Sequence, residues 1–147
     1  MKKINVLIDA SGSMNEDGKL SALKYLLYTM LNIIKEQYND MADFEFVQWS
    51  TEVTKLEKLN MLTAEDNLNE NKLYDYFKLN SPDAVIFISD GNFNVSLRSA
   101  ILSIAKEIFV VSIGLDSDEY NLKMVSSNSS VYKACDIEQV IKNCFLL

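Results

Sequence analysis

The stretch Ile4-Asn5-Val6-Leu7-Ile8-Asp9-Ala10-Ser11-Gly12-Ser13-Met14 decides how this chain is read. Its first half is a short apolar run, rich in β-branched residues, with the composition of a buried strand. Its second half turns polar at once, on an aspartate. A carboxylate that closes a buried strand is costly unless something pairs its charge. Ser11 and Ser13 project the same way as Asp9 if the loop turns tightly at Gly12.

Working outward, Lys19 to Tyr38 carries Leu20, Leu23, Leu27, Met30, Leu31 and Ile34 at helical spacing, and Leu26 and Ile33 widen that stripe into a largely buried helix. Phe44 to Trp49 and Val53 to Leu59 read as a hairpin around Ser50-Thr51-Glu52. Its second strand bears Lys55, Glu57 and Lys58, the charges that protect a sheet edge. Thr63-Ala64-Glu65-Asp66 opens or precedes a helix through Leu73, Tyr76 and Phe77. Ala84-Val85-Ile86-Phe87-Ile88 is apolar without alternation, as in a strand covered on both faces. Val95, Leu97, Ala100, Ile101 and Ile104 mark the inner side of the next helix. Ile108 to Ile113 is another covered strand, ended by Gly114, and Val131-Tyr132-Lys133 a short last one. Asp116 with Glu119, and Asp136 with Gln139, have capping-box spacing for two further helices.

Strands alternating with helices predict one α/β domain over 1–147, doubly wound and Rossmann-like. The expected sheet is mainly parallel, of about six strands with one antiparallel edge strand, and helices cover both faces. Ligands of such sheets bind beyond the carboxyl ends of the strands, where the strand order reverses. The loops after Ile8, Ser89 and Gly114 then share one face, and Asp90 of Ser89-Asp90-Gly91-Asn92 joins Asp9, Ser11 and Ser13. Two carboxylates and two hydroxyls are hard oxygen donors, suited to Mg²⁺ or Mn²⁺. The plainer reading of Asp9 and the two serines is an N-cap and turn cluster ahead of the long helix.

Composition narrows the function classes. With 48% hydrophobic and 24% charged residues, the 147-residue chain is an ordinary globular domain. Fourteen Lys and Arg against 21 Asp and Glu, a net charge of −7, argue against a phosphate-backbone binder and against a polybasic membrane anchor. The tyrosines form no basic–aromatic stripe, so nucleic acid is not expected as a partner. Histidine is absent, which excludes His-based triads, His-ligated zinc and a histidine pH switch. Cys135 and Cys144 are not a CxxC pair and read as reduced, buried, structural residues. The first apolar run meets Asp9 far short of a signal-peptide core, and no apolar stretch reaches membrane-helix length. The expected setting is the cytoplasm.

With these residues in place, the chain resembles a von Willebrand factor A (vWA) domain, of a bacterial stand-alone type. Asp9-x-Ser11-x-Ser13 resembles that family's metal ion-dependent adhesion site (MIDAS). The likeness extends in family order through the Phe44–Ser50 strand, Ile88-Ser89-Asp90-Gly91, Ser112-Ile-Gly-Leu-Asp116 and the closing Asp136-Ile-Glu-Gln-Val helix. It implies a metal held by Asp9, Ser11, Ser13 and Asp90, with Mg²⁺, Mn²⁺ or Ca²⁺ as the ion. The family also supplies a threonine ligand from a glycine-rich loop. No such loop lies between Leu59 and Asp90, where Thr63 is the threonine available. Thr63 is either that ligand or a helix N-cap, and Asn67, Asn69 or Asn71 can substitute through an amide oxygen.

The resemblance implies a non-enzymatic interaction module whose ion takes an Asp or Glu from a protein partner. ATPase, kinase or phosphatase complexes are the implied setting. Two alternatives stand beside it. One is a degenerate scaffold that binds partners without metal. The other is a Mg²⁺-dependent phosphatase, which in the haloacid-dehalogenase pattern wants an aspartate where this chain has Ser11. Trp49 and Phe93 are expected near the rim of the metal face, as anchors for a partner or as core. The last helix, from Ile137 to Leu147, ends on an apolar Phe145-Leu146-Leu147 that must be buried or dock on something.

Overall fold

A computed structural model describes residues 1–146. Six strands form one sheet: β1 (Lys2–Asp9), β2 (Ala42–Trp49), β3 (Val53–Lys55), β4 (Ala84–Ser89), β5 (Glu107–Ser112) and β6 (Val131–Tyr132). Their order across the sheet is β3-β2-β1-β4-β5-β6. All neighbours are parallel except β2 and β3, which form the expected antiparallel hairpin at one edge. The helices are α1 (Lys19–Gln37), α2 (Glu70–Leu79), α3 (Arg98–Leu102), α4 (Glu119–Lys123) and α5 (Ile137–Asn143).

The two-residue period of the strands divides the core into two layers. Ile4, Val6 and Ile8 of β1, with Ala84, Ile86 and Ile88 of β4, pack against Leu23, Leu27, Met30 and Ile34 of α1 and Ile137, Val140 and Ile141 of α5. Leu7, Val47, Val85 and Phe87 face the other way, onto Leu73 and Phe77 of α2, Ala100 and Ile101 of α3, and Leu122 of α4. With both faces of β4 covered, its continuous apolar run has its physical reason.

Chain order and sheet order together place the functional edge. The chain passes outward from β1 through β2 to β3, then returns to add β4 on the other side of β1. The order therefore reverses between β1 and β4, and the crevice beyond their carboxyl ends is where a ligand of this architecture binds.

Several local expectations are corrected. The helix after Thr63 begins at Glu70, and its N-cap is Asn69, whose side chain accepts from the Lys72 N–H at 3.1 Å. Asp118, not Asp116, caps α4, accepting from the Asn121 N–H at 3.0 Å. Asp136 precedes α5 without capping it, because its carboxylate accepts from the Lys133 N–H instead. Val95 is exposed, since the chain winds through a single 3₁₀ turn there before α3 begins. Cys144 is buried as expected, whereas Cys135 is exposed on the turn ahead of α5; both thiols are free. Phe145 stacks on Tyr38 with ring centroids 4.8 Å apart, which ties the chain end onto α1, while Leu146 is exposed and Leu147 lies outside the described residues.

Candidate metal centre

Asp9 is the last residue of β1 and fully buried. Ile8 pairs with Ile88, so the next residues, Asp9 and Ser89, stand side by side on one face of the sheet. The Ser89 hydroxyl donates to Asp9 Oδ2 at 2.6 Å, and the Ser11 N–H donates to Asp9 Oδ1 at 2.9 Å. Each carboxylate oxygen is thereby fixed in direction. Burial raises the Asp9 carboxyl above its ordinary pKa; the bonds from Ser11 and Ser89 oppose the rise without cancelling it, and the charge of Asp90 adds to it. A neighbouring cation would relieve that cost.

After Asp9 the chain turns into a 3₁₀ segment, Gly12–Asn15. The turn brings the Ser11 and Ser13 hydroxyl oxygens to 3.3 Å from each other, the shared projection expected from their spacing. Two backbone bonds clamp this loop to the segment after Met61: Glu65 N–H to Ala10 C=O at 3.0 Å, and Gly12 N–H to Asp66 C=O at 3.0 Å. On the other side Asp90, also fully buried, accepts from the Asn92 N–H at 2.9 Å and from the Asn92 amide at 3.3 Å.

One participant went unrecognised in the sequence. Lys19, first residue of α1, is 2% exposed and directs its ammonium to Asp90 Oδ2 at 3.1 Å and Asp116 Oδ1 at 2.8 Å. The Ser13 carbonyl is a third acceptor, at 3.4 Å. Burial pulls the Lys19 pKa down, but its bonds to Asp116 and Asp90 outweigh that and the net shift is upward. The same contact holds the Asp116 carboxyl below its ordinary value. The available signal was electrostatic: a lysine opening a helix opposes the helix dipole, so it needs a compensating anion. Asp116 supplies one, and for that reason does not cap α4.

Asn121 was likewise missed. Its buried amide donates to the carbonyls of Gly91 at 2.8 Å and Phe93 at 2.9 Å, and its oxygen accepts from Arg98 Nε at 2.7 Å. This one side chain pins the loop that carries Asp90. Gly91, with φ +78°, is needed for the same docking, because a Cβ there would lie 2.5 Å from the Asp118 carbonyl oxygen.

The remaining sequence-predicted residues separate. Thr63 is exposed beside β2, where its N–H meets the Gln48 side chain at 3.4 Å. Asn69 is occupied as the α2 cap, and Asn71 is exposed on that helix. Asn67 alone of the three asparagines lines a cavity of about 370 Å³ with Ser11, Asn92 and Phe93. Trp49 is fully buried, with its indole N–H donating to the Asn69 carbonyl at 2.9 Å, so it is core; Phe93 lines the cavity wall.

Among solved structures, the chain is similar in fold to the von Willebrand factor type A protein of Catenulispora acidiphila, with a TM-score of 0.68 and 16% identity over 97% of this chain. The fold is that of a vWA domain. Manganese-loaded TRAP from Plasmodium vivax aligns with a TM-score of 0.73 at 12% identity, over 98% of this chain and 73% of that one. Proximal thread matrix protein 1 from the mussel byssus, solved with zinc in its MIDAS motif, gives 0.65 at 14% identity over 97% of this chain. This chain spans 41% of the Catenulispora protein and 44% of the mussel protein. No protein-family model matches the sequence, and no curated protein does.

The vWA edge of this chain has a donor set that fits a hard divalent ion. Among the described residues no three His, Cys, Asp or Glu side chains converge; the oxygens at this edge are those of two buried carboxylates, Asp9 and Asp90, and of neighbouring hydroxyl and amide groups. The ammonium of Lys19, already seated between Asp90 and the Ser13 carbonyl, shows that positive charge is stabilised there. Oxygen donors of this kind suit hard divalent ions.

Proposed function

We propose that this chain is a divalent-ion-dependent protein-interaction module, with Asp9, Ser11, Ser13 and Asp90 holding the ion and Asn67 contributing a further oxygen in place of Thr63. The observation that carries the reading is the pair of fully buried carboxylates, Asp9 and Asp90, on the loops at the switch point between β1 and β4, where the Ser11 and Ser13 hydroxyls follow Asp9. Among the described residues Asp90 pairs with Lys19 and Asp9 with no cation of the protein, so one ammonium faces two buried carboxylates, a balance that a divalent ion would complete.

The bound ion would supply an exchangeable coordination position with unspent positive charge, open to a carboxylate. The chain's own residues do the rest. Ser89 and the Ser11 N–H aim the Asp9 oxygens, Asn92 aims Asp90, and Asn121 holds the Asp90 loop in place. The cavity walled by Asn67, Asn92, Asn94, Ser96, Phe93 and Leu97 offers neutral polar groups and one aromatic to the residues flanking an incoming Asp or Glu. A manganese-loaded and a zinc-occupied protein of the same fold support the use of a divalent ion.

Binding rather than catalysis is favoured by what surrounds the site. Ser11 stands where the haloacid-dehalogenase pattern wants a second aspartate, histidine is absent from the sequence, and Lys19 is committed to two carboxylates. No helix among the described residues is long and apolar enough to cross a membrane. A cytoplasmic setting belongs to the proposal, supported by two unpaired thiols.

The test is a peptide array presenting Asp or Glu in varied contexts, each with an Asn or Gln counterpart, probed with the labelled protein in Mn²⁺ and again in chelator. Acid-specific, chelator-reversible binding that Asp9→Ala abolishes is the expected result. Equal binding to acid and amide peptides, or binding that persists in chelator, would favour the metal-independent scaffold.

A further inference from the structure

Resting on the metal-site reading above, we infer that Lys19 is a tethered cation that competes with the divalent ion for Asp90 and keeps ion binding weak and readily reversed. Its ammonium bonds directly to one of the two carboxylates assigned to the ion, at 3.1 Å, with both side chains withdrawn from solvent. A fixed positive charge at that distance, in a poorly screened interior, opposes a second cation strongly.

The path of this side chain is built into the fold. Gly114, with φ +89°, lies so close that a Cβ there would sit 2.7 Å from Lys19 Cε and 3.2 Å from Cδ. The backbone of the loop after β5 is therefore packed along the lysine stem. Position 19 also works against local preference, because a cation opens α1 at the positive end of its dipole. What holds the ammonium there is the ring of acceptors: Asp90, Asp116 and the Ser13 carbonyl.

Asp116 gives the arrangement a second state. Its side chain is 51% exposed and lies on the loop between β5 and α4, and it bonds Lys19 at 2.8 Å. An ion that takes Asp90 leaves the ammonium a carboxylate it already touches, so the lysine does not become an unpaired buried charge. Without the ion, Lys19 offsets the repulsion between Asp9 and Asp90 and keeps the site assembled. Ion binding is thereby an exchange of one cation for another on Asp90.

The experiment is calorimetric titration of chelator-stripped protein with Mn²⁺ at low ionic strength, for wild type, Lys19→Met, Asp116→Asn and the double variant, with thermal melts in chelator as the folding check. Lys19→Met is expected to bind Mn²⁺ about tenfold tighter or more, and to melt earlier than wild type in chelator. Asp116→Asn, a change at a half-exposed residue, is expected to bind more weakly, because the ammonium then has Asp90 as its one carboxylate. That loss should shrink in the Lys19→Met background. Equal or weaker binding by Lys19→Met, or an Asp116→Asn effect of the same size in both backgrounds, overturns the competition while the metal site stands. Absence of Mn²⁺ binding in every protein, Lys19→Met included, overturns both.

Discussion

Lys19 Nζ lies 3.1 Å from Asp90 Oδ2 across the switch point of the sheet, and neither side chain is open to solvent. Breaking one partner of such a buried pair strands the other, at a cost of about 3–5 kcal/mol. Lys19→Met leaves the Asp90 charge without its ammonium and belongs in that range. Asp90→Asn leaves Lys19 on Asp116 and should cost less. The double variant should be less destabilised than the sum of the two, which urea unfolding in chelator measures directly. Simple additivity would show that the two charges do not support each other.

The glycine at 91 should be far less replaceable than the one at 18. Both have left-handed backbones, with φ +78° and +74°, but a Cβ at 18 meets nothing within 4 Å while one at 91 meets the Asp118 carbonyl oxygen at 2.5 Å. Gly18→Ala therefore carries the conformational cost alone, roughly 1–2 kcal/mol. Gly91→Ala adds a steric cost of about 1–3 kcal/mol and should also weaken ion binding by pushing α4 off the Asp90 loop. Equal unfolding midpoints for the two variants would contradict this.

Asn5 offers a gain. It lies fully buried in β1, and neither its amide nitrogen nor its oxygen has a hydrogen-bond partner among the described residues. Replacing unpaired buried polar atoms with apolar ones of similar shape recovers about 1–3 kcal/mol. Asn5→Leu should raise the thermal midpoint, and a lowered midpoint would show that the amide is satisfied in solution.

The strand and helix plan was legible because burial follows period: Ala84 to Ile88 read as doubly covered, and Leu23, Leu27, Met30 and Ile34 as one helical face. That Asp9, Ser11, Ser13 and Asp90 lie at one edge of the sheet was legible because parallel topology forces the first and fourth strands' loops together. What escaped depended on contacts far apart in sequence. Asp116 looked like a cap by its spacing to Glu119, yet Lys19, distant in the chain, claims its carboxylate. Asn121 gave no local sign of its bonds to Gly91 and Phe93. Thr63 had the right type for a ligand or a cap and serves as neither end of α2.

The two cysteines should behave oppositely. Cys135 is exposed, whereas burial pushes the Cys144 thiol up to about 12. One thiol should react with a maleimide in the native protein and two in denaturant. An acid whose folded pKa is raised holds its proton longer in the native state. The stability it contributes is complete below the ordinary value of 9.0 and is lost as pH rises toward about 12. Urea midpoints should therefore fall across that window, and more gently in Cys144→Ala. Identical slopes would assign the alkaline loss to other groups.

The central claim is that Asp9, Ser11, Ser13 and Asp90 hold a hard divalent ion. Its most direct test is Mn²⁺ titration of chelator-stripped wild type beside Asp9→Ala, with circular dichroism confirming that both are folded. A single-site isotherm in wild type that vanishes in Asp9→Ala is the predicted result. A flat trace from folded wild type, or unchanged binding in the variant, would contradict it.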